Sequence, residues 1–515
     1  MLAAIRSAGI IGIDAYDVTV EVDAAAGLPQ WTIVGLPLGA VKESRERVGA
    51  ALVNSGFTLP PRRITINLAP ADIKKDGTAF DLPIAVGLLV ATGQLPPQAA
   101  ERRIFVGELG LDGSLRAVKG ALSIARKTAA YASPHELVIP RPNLDEAGRV
   151  SSIRLSAPRN LRELALELKE GLLSRALPPS RERCLRREPL EFADVVGQQS
   201  AKRALEVAAA GGHNVIMVGP PGAGKTMLAR RLPGILPELS EAESLEVIAI
   251  HSVAGMLTAE ALAGCARPFR APHHSISSAG LIGGGSNPRP GEVSLAHNGV
   301  LFLDEMLEFP RSVLDGLRQP LEDGSVVISR AAMSIAFPAR FTLVGATNPC
   351  PCGRLGDSTG ICACSASDLD RYAGRMSGPL SDRLDMHVTV GAVALRDLSS
   401  SREEESTSTI RSRVSNARAI QTARFARLRG VGCNAHASGR WIDAHGAVEG
   451  DARALLQRAA ETLAMSARGY HRVLKVARTI ADIDADDCTR AAHVAEALRY
   501  RAVGRGALRG APPVD

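Results

Sequence analysis

Apolar and polar residues alternate over Val18–Val22 and again over Arg63–Leu68, the period of half-buried strands. Asp81–Thr92 is almost continuously apolar, with Pro83 in its first turn, and predicts a helix. A third alternation, Ile104–Leu109, runs toward a turn at Asp112–Gly113. Further along the pattern changes. Asn214–Val218, Gly299–Leu303 and Phe341–Thr347 are unbroken apolar runs, as expected of strands buried on both faces of a parallel sheet. Each run ends in chemistry: a Gly-rich loop, the acids Asp304 and Glu305, and the amide Asn348. Ligands of such sheets bind beyond the carboxyl ends of the strands. Phe269–Glu292 is too rich in Gly and Pro for one regular element and reads as an extended insertion. Arg318–Arg330 contains the turn signal Asp323–Gly324 and then an alternating strand, so a hairpin is expected there. Beyond residue 411, helical patterns rich in Ala, Arg and Leu cover 411–428, 451–465, 466–482 and 489–501.

These patterns divide the chain into a mixed α/β region at 1–175, a linker at 176–191, an α/β core at 192–395, a polar connector at 396–410 and a helical region at 411–505. The linker has paired prolines and five arginines from Arg175 to Arg187, which read as a solvated face before a phosphate track. A length of 515 residues is too great for one core and suggests roughly three domains. Aromatics make up only 3%, so the cores are aliphatic and base-stacking platforms are few. A net charge of +7 fits a polyanionic partner without requiring one. No apolar run of about 18 residues appears, so nothing is expected to span a membrane. The first residues lack a secretory pattern. Four of eight cysteines cluster at 350–364, which suggests a reducing cytoplasmic setting with one candidate metal site.

Gly219, Pro220, Pro221, Gly222, Ala223, Gly224, Lys225 and Thr226 form a G-x-x-x-x-G-K-T loop between a strand and a helix, the context a phosphate loop needs. Glycines let successive N–H groups turn toward phosphate oxygens, and the helix N-terminus adds positive charge. Lys225 is expected to reach the β/γ-phosphates of a nucleoside triphosphate, and Thr226 to take a Mg²⁺ position. Asp304 would orient Mg²⁺ through its water shell, and Glu305 would act as general base on the attacking water. Cys350, Cys352, Cys362 and Cys364 offer four thiolates suited to tetrahedral Zn²⁺, or remain four reducible thiols. Adjacent His273 and His274 have no carboxylate or cysteine near them in sequence and read as hydrogen-bonded loop residues.

Lys75–Phe80 and Gly113–Leu122 resemble the segments that carry the serine and the lysine of the Lon proteolytic domain. Ala79 stands where the serine would be, and Leu122 where the lysine would be, with Lys119 three residues earlier. A Ser–Lys hydrolase needs a hydroxyl nucleophile, so the resemblance implies an α+β scaffold without peptidase activity. Asp194–Gln198 resembles the opening of an AAA+ module, where the Val-Gly segment lies against the adenine. Asn348 resembles its sensor-1 residue, Arg383 its arginine finger reaching into a neighbouring subunit, and Arg468 its sensor 2, with Arg472 second. The hairpin before Asn348, with Arg330 in it, resembles the DNA-contacting pore loop of the helicase-and-chelatase branch. Taken whole, the chain resembles the magnesium-chelatase-like AAA+ family called YifB or ComM. That implies a Lon-like head, a P-loop core with a parallel sheet and a helical lid. It also implies a cytoplasmic hexamer that hydrolyses ATP with Mg²⁺ to move branched or single-stranded DNA, promoting branch migration in natural transformation. The alternatives are a magnesium-chelatase motor subunit, against which the Lon-like head counts, and an ATP-dependent protein remodeller or protease.

Overall fold

The alternation at Val18–Val22 belongs to a long strand, Asp14–Ala25, which pairs antiparallel with Leu2–Ile11 and with Arg63–Ala69. The computed structural model describes residues 2–171, 173–177, 190–263, 266–285, 288–330, 333–356, 361–392, 404–428 and 430–506. Most of the expected linker (178–189), the first part of the expected connector (396–403) and the Arg330 side chain lie outside what is described. The chain divides into two compact units, one of residues 1–184 and 244–264, the other of 185–243 and 265–515.

In the first unit seven strands make a mixed sheet, in the order Gln30–Val34, Arg63–Ala69, Asp14–Ala25, Leu2–Ile11, Arg103–Phe105, Glu136–Val138, Arg154–Ser156. The expected helix is Asp81–Ala91, every residue of it buried. Gly87 lets that helix approach the sheet, since a methyl group there would lie 2.6 Å from a Val22 methyl. The alternation at 104–109 is broken by Gly107 into Arg103–Phe105 and a separate short strand, Glu108–Leu109, paired with Leu115–Arg116 around the expected turn. Residues 244–264 were expected within the core at 192–395. Leu122, Ile248 and Ala249 instead share one apolar cluster, and Ser252 Oγ accepts the Gly120 N–H at 2.8 Å.

In the second unit the unbroken runs form the centre of an all-parallel sheet, ordered Phe269–Arg270, Val300–Leu303, Thr342–Thr347, Val215–Val218, Met386–Thr389. All residues of the three middle strands are buried. Phe269–Arg270 is one of the two edge strands, so the segment read as an insertion begins as part of the sheet. Its remainder folds as a helix at Ser278–Ile282, a two-residue ladder of Gly283–Gly284 with Arg289–Pro290, and a helix at Glu292–Leu295. The expected hairpin pairs Ser325–Arg330 with Met333–Pro338. Its turn is not Asp323–Gly324, which closes the Arg318–Asp323 helix through Gly324 in a left-handed conformation at φ 64°. The lid comprises helices Thr407–Phe425, Gly439–His445, Gly450–Thr462, Ala467–Ile483 and Ala491–Gly506. Arg478 and Asp482 are buried in it one turn apart, 2.7 Å from each other. Among the described residues no helix is long and apolar enough to cross a membrane.

Candidate nucleotide-binding site

Parallel register brings the polar ends of the middle strands to one edge of the sheet. Val218 leads into Gly219, Leu303 into Asp304, and Thr347 into Asn348. Gly219 passes so close to the neighbouring chain that a methyl group there would lie 2.1 Å from the Val390 carbonyl oxygen. Gly224 adopts φ 88° as the N-cap of the Lys225–Ile235 helix, a conformation that only glycine adopts freely. Loop and helix terminus thus present backbone donors to an anion.

Lys225 is 8% exposed. Its Nζ donates to Gly219 O at 2.6 Å, Pro220 O at 2.9 Å and Asn348 Oδ1 at 3.1 Å. Burial pushes its pKa down, against the opposing pull of Asp304 and Glu305. Thr226 Oγ1 donates to Asp304 Oδ2 at 2.8 Å. The structure therefore gathers Lys225, Thr226, Asp304 and Asn348 at one point from three strands. Tyr372 Oη and Thr347 Oγ1 lie 3.1 Å apart, bracing the end of the strand that carries Asn348.

Glu305 has a left-handed backbone at φ 50° and a carboxylate 58% exposed. That conformation costs a non-glycine residue about 1 kcal/mol, and the Glu305 N–H donates to Asp304 Oδ1 at 3.0 Å. Nδ1 of His274 lies 3.8 Å from Glu305 Oε2. His273 behaves as the expected loop residue, bonding Ser275 Oγ at 2.8 Å, but His274 faces the candidate base. The sheet register explains this: Arg270 pairs with Leu301, and each residue of the His274–Glu305 pair lies four positions beyond. Gln198, also missed, donates from Nε2 to Gly391 O at 2.6 Å and Ala223 O at 3.3 Å, bracing the phosphate loop.

Arg383 and Arg468 lie elsewhere. Both pair with Glu322, Arg468 Nη2 at 3.5 Å from it, and both line an open cleft of about 420 Å³ that contains no residue of Gly219–Thr226. The residue matched to sensor 2 thus lies beside Glu322. Ser466 caps the Ala467–Ile483 helix, and the first turn beyond it faces Glu322 and the segment before Asp385. Arg472, one turn further, is held by Asp385 at 3.4 Å and Leu384 O at 3.3 Å. Burial would raise the Asp385 pKa, but the His213 hydrogen bond and the Arg472 charge hold it well below the usual carboxylate range.

The four clustered cysteines are free and close together. Cys350 Sγ lies 3.3 Å from Cys352 Sγ and 3.7 Å from Cys362 Sγ, and the latter two sulfurs are 3.6 Å apart. In the first unit Ala79 accepts the Gly107 N–H at 2.9 Å through its carbonyl, and Leu122 is buried. The positions matched to the serine and lysine thus carry apolar side chains.

Known families cover most of this architecture. The family described as "Magnesium chelatase, subunit ChlI" matches residues 191–398, "Subunit ChlI of Mg-chelatase" matches 20–143, and "Magnesium chelatase, subunit ChlI C-terminal" matches 404–501. Competence protein ComM of Haemophilus influenzae is 43% identical over 510 residues, covering 98% of both chains. The chain belongs to the ComM/YifB family of magnesium-chelatase-like AAA+ ATPases. The YifB protein of Salmonella typhimurium is 42% identical, again over 98% of both chains. The magnesium-chelatase 38 kDa subunit of Rhodobacter capsulatus is 29% identical over 34% of this chain and 54% of its own. Whole-length similarity therefore goes to ComM and YifB, while the chelatase subunit shares a part. Because the 20–143 match itself carries a chelatase description, the head alone does not separate a ComM/YifB protein from a chelatase subunit; coverage does.

Proposed function

We propose that this protein is a ring motor that hydrolyses ATP to move DNA, promoting branch migration as incoming strands are integrated. The observation that carries the hydrolytic half is the convergence of Lys225 with Asn348 and of Thr226 with Asp304 at the carboxyl edge of the sheet. A hydroxyl and a carboxylate 2.8 Å apart suit a hard divalent ion with several waters. Thr226 and Asp304 would hold Mg²⁺, which when bound neutralises phosphate charge. Lys225 faces the β/γ-phosphates, Glu305 takes the proton of the attacking water, and Asn348 orients that water. Arg383 and Arg468 share a carboxylate partner away from the phosphate loop, so we read both as reaching the ATP of a neighbouring copy, in a hexamer. A guanidinium supplied in this way stabilises charge developing on the transferred phosphoryl group.

The DNA half is supported by the Ser325–Pro338 hairpin, the charge of +7 and the name of the competence relative. The test is the ATPase rate with and without forked or four-way DNA. Stimulation of several-fold is expected. A rate indifferent to DNA but raised by a porphyrin-binding partner would replace this reading with that of a chelatase motor, the second reading that the three family descriptions favour.

A further inference from the structure

The segment after Asn348 takes no part in the chemistry above, yet it brings four thiols together. A tetrathiolate zinc site has Zn–S distances of about 2.3 Å, which in a tetrahedron sets sulfurs about 3.8 Å apart. Here three of the separations are 3.3, 3.6 and 3.7 Å, and all four sulfurs lie within 4.8 Å of one another. A disulfide would require about 2.05 Å. Cys350 is fully buried while Cys352 is exposed, so the cluster is anchored in the core on one side and open to an ion on the other. Cys350 to Gly353 form a tight turn, closed by the Gly353 N–H on Cys350 O at 3.0 Å, with Gly353 at φ 78°. Such a turn aims both sulfurs of a C-x-C pair at one point. An all-thiolate donor set selects zinc over magnesium or calcium.

The same turn rests on the phosphate loop. A methyl group at Gly353 would lie 2.7 Å from Pro221 Cδ, and Asn348 Cγ is the next neighbour at 4.0 Å. Whatever fixes the cysteines therefore fixes the contact with Pro221 and, two residues before Cys350, the amide that meets Lys225 at 3.1 Å.

We propose that Cys350, Cys352, Cys362 and Cys364 hold one Zn²⁺ ion, and that this site positions Asn348 against the phosphate loop. The metal half stands independently of the function proposed above; the positioning half rests on the ATPase reading. Both are tested on the full chain. Elemental analysis of the purified protein is expected to find one zinc per chain, and cobalt substitution to give the sulfur-to-metal charge-transfer and tetrahedral d–d bands of a tetrathiolate. Cys362→Ser and Cys364→Ser should lose the metal, Cys352→His should keep it, and Cys488→Ser should change nothing. Removal of the zinc should lower kcat by about tenfold or more, the range seen when groups supporting a site are lost. Affinity for a non-hydrolysable ATP analogue should stay within about threefold, as it does when a purely kinetic interaction is lost. Metal-free protein in which the four clustered cysteines are all free thiols, a disulfide among them, bound iron, or zinc surviving in both serine variants overturns the metal site. An unchanged kcat after zinc removal overturns the positioning role. DNA stimulation of the ATPase enters none of these readouts, so failure here and failure of the motor reading are distinguishable.

Discussion

Replacing Lys225 with alanine removes the one full positive charge inside the phosphate loop. An ammonium about 4 Å from a phosphate charge contributes about 4 kcal/mol at an effective dielectric constant of 20. Part of this is offset, because the buried amine already donates to Gly219 O, Pro220 O and Asn348 Oδ1 and must yield some of these bonds when phosphate arrives. A net loss of about 3 kcal/mol remains, more than a hundredfold in affinity. The assay is fluorescence anisotropy of a labelled, non-hydrolysable ATP analogue with Mg²⁺, run beside a thermal unfolding curve that checks the fold. Water can reach the freed carbonyls, so the melting temperature should shift by only a few degrees, corresponding to about 1 kcal/mol. Binding within about threefold of the native protein, in a variant that melts normally, would refute the assignment of Gly219–Thr226 as the triphosphate cradle.

Glu305→Gln keeps shape and removes basicity. Analogue binding should be retained while turnover drops by about a hundredfold or more, and normal turnover would sink the base assignment. Arg383→Ala and Arg468→Ala should each bind the analogue normally yet hydrolyse poorly, and mixing either with Lys225→Ala subunits should restore partial turnover. Mixtures as inactive as the separate variants would contradict action across a subunit boundary. Acidification should weaken the second unit through His387, which burial, helped by the Arg501 charge, pushes from the usual 6.5 down to about 3. A depressed histidine favours the folded state fully above about pH 6.5 and progressively less as pH falls toward 3. At pH 5 the loss is about 2 kcal/mol. Denaturant titrations at pH 7.5 and 5 should show that difference and show it shrunken in His387→Leu; an identical pH dependence in that variant would count against it.

The edge of the sheet that carries the candidate site was legible because its signals are local. A buried parallel strand is apolar along its whole length, so Val215–Val218, Val300–Leu303 and Thr342–Thr347 and the polar residues that follow them could be read directly. What escaped depends on register and direction. His274 reaches Glu305 only because a two-residue edge strand pairs Arg270 with Leu301, and a two-residue strand has no periodicity to read. Arg468 was picked out by its resemblance to sensor 2, but the face its helix's first turn presents is set by how the lid packs. The Asp323–Gly324 pair carries a left-handed glycine whether it turns a hairpin or caps a helix, and it does the second. Residues 244–264 carry no local signal of a unit boundary, and it is the burial of Ile248 and Ala249 against Leu122, with the Ser252 hydrogen bond to Gly120, that assigns them to the first unit.

The most direct test of the motor claim is migration of a labelled four-way junction by the purified protein with ATP and Mg²⁺, with Glu305→Gln in parallel. Junction movement by the native chain that needs hydrolysable ATP and vanishes in Glu305→Gln is the predicted result. An active ATPase that leaves the junction in place, or movement that persists in Glu305→Gln, would contradict it.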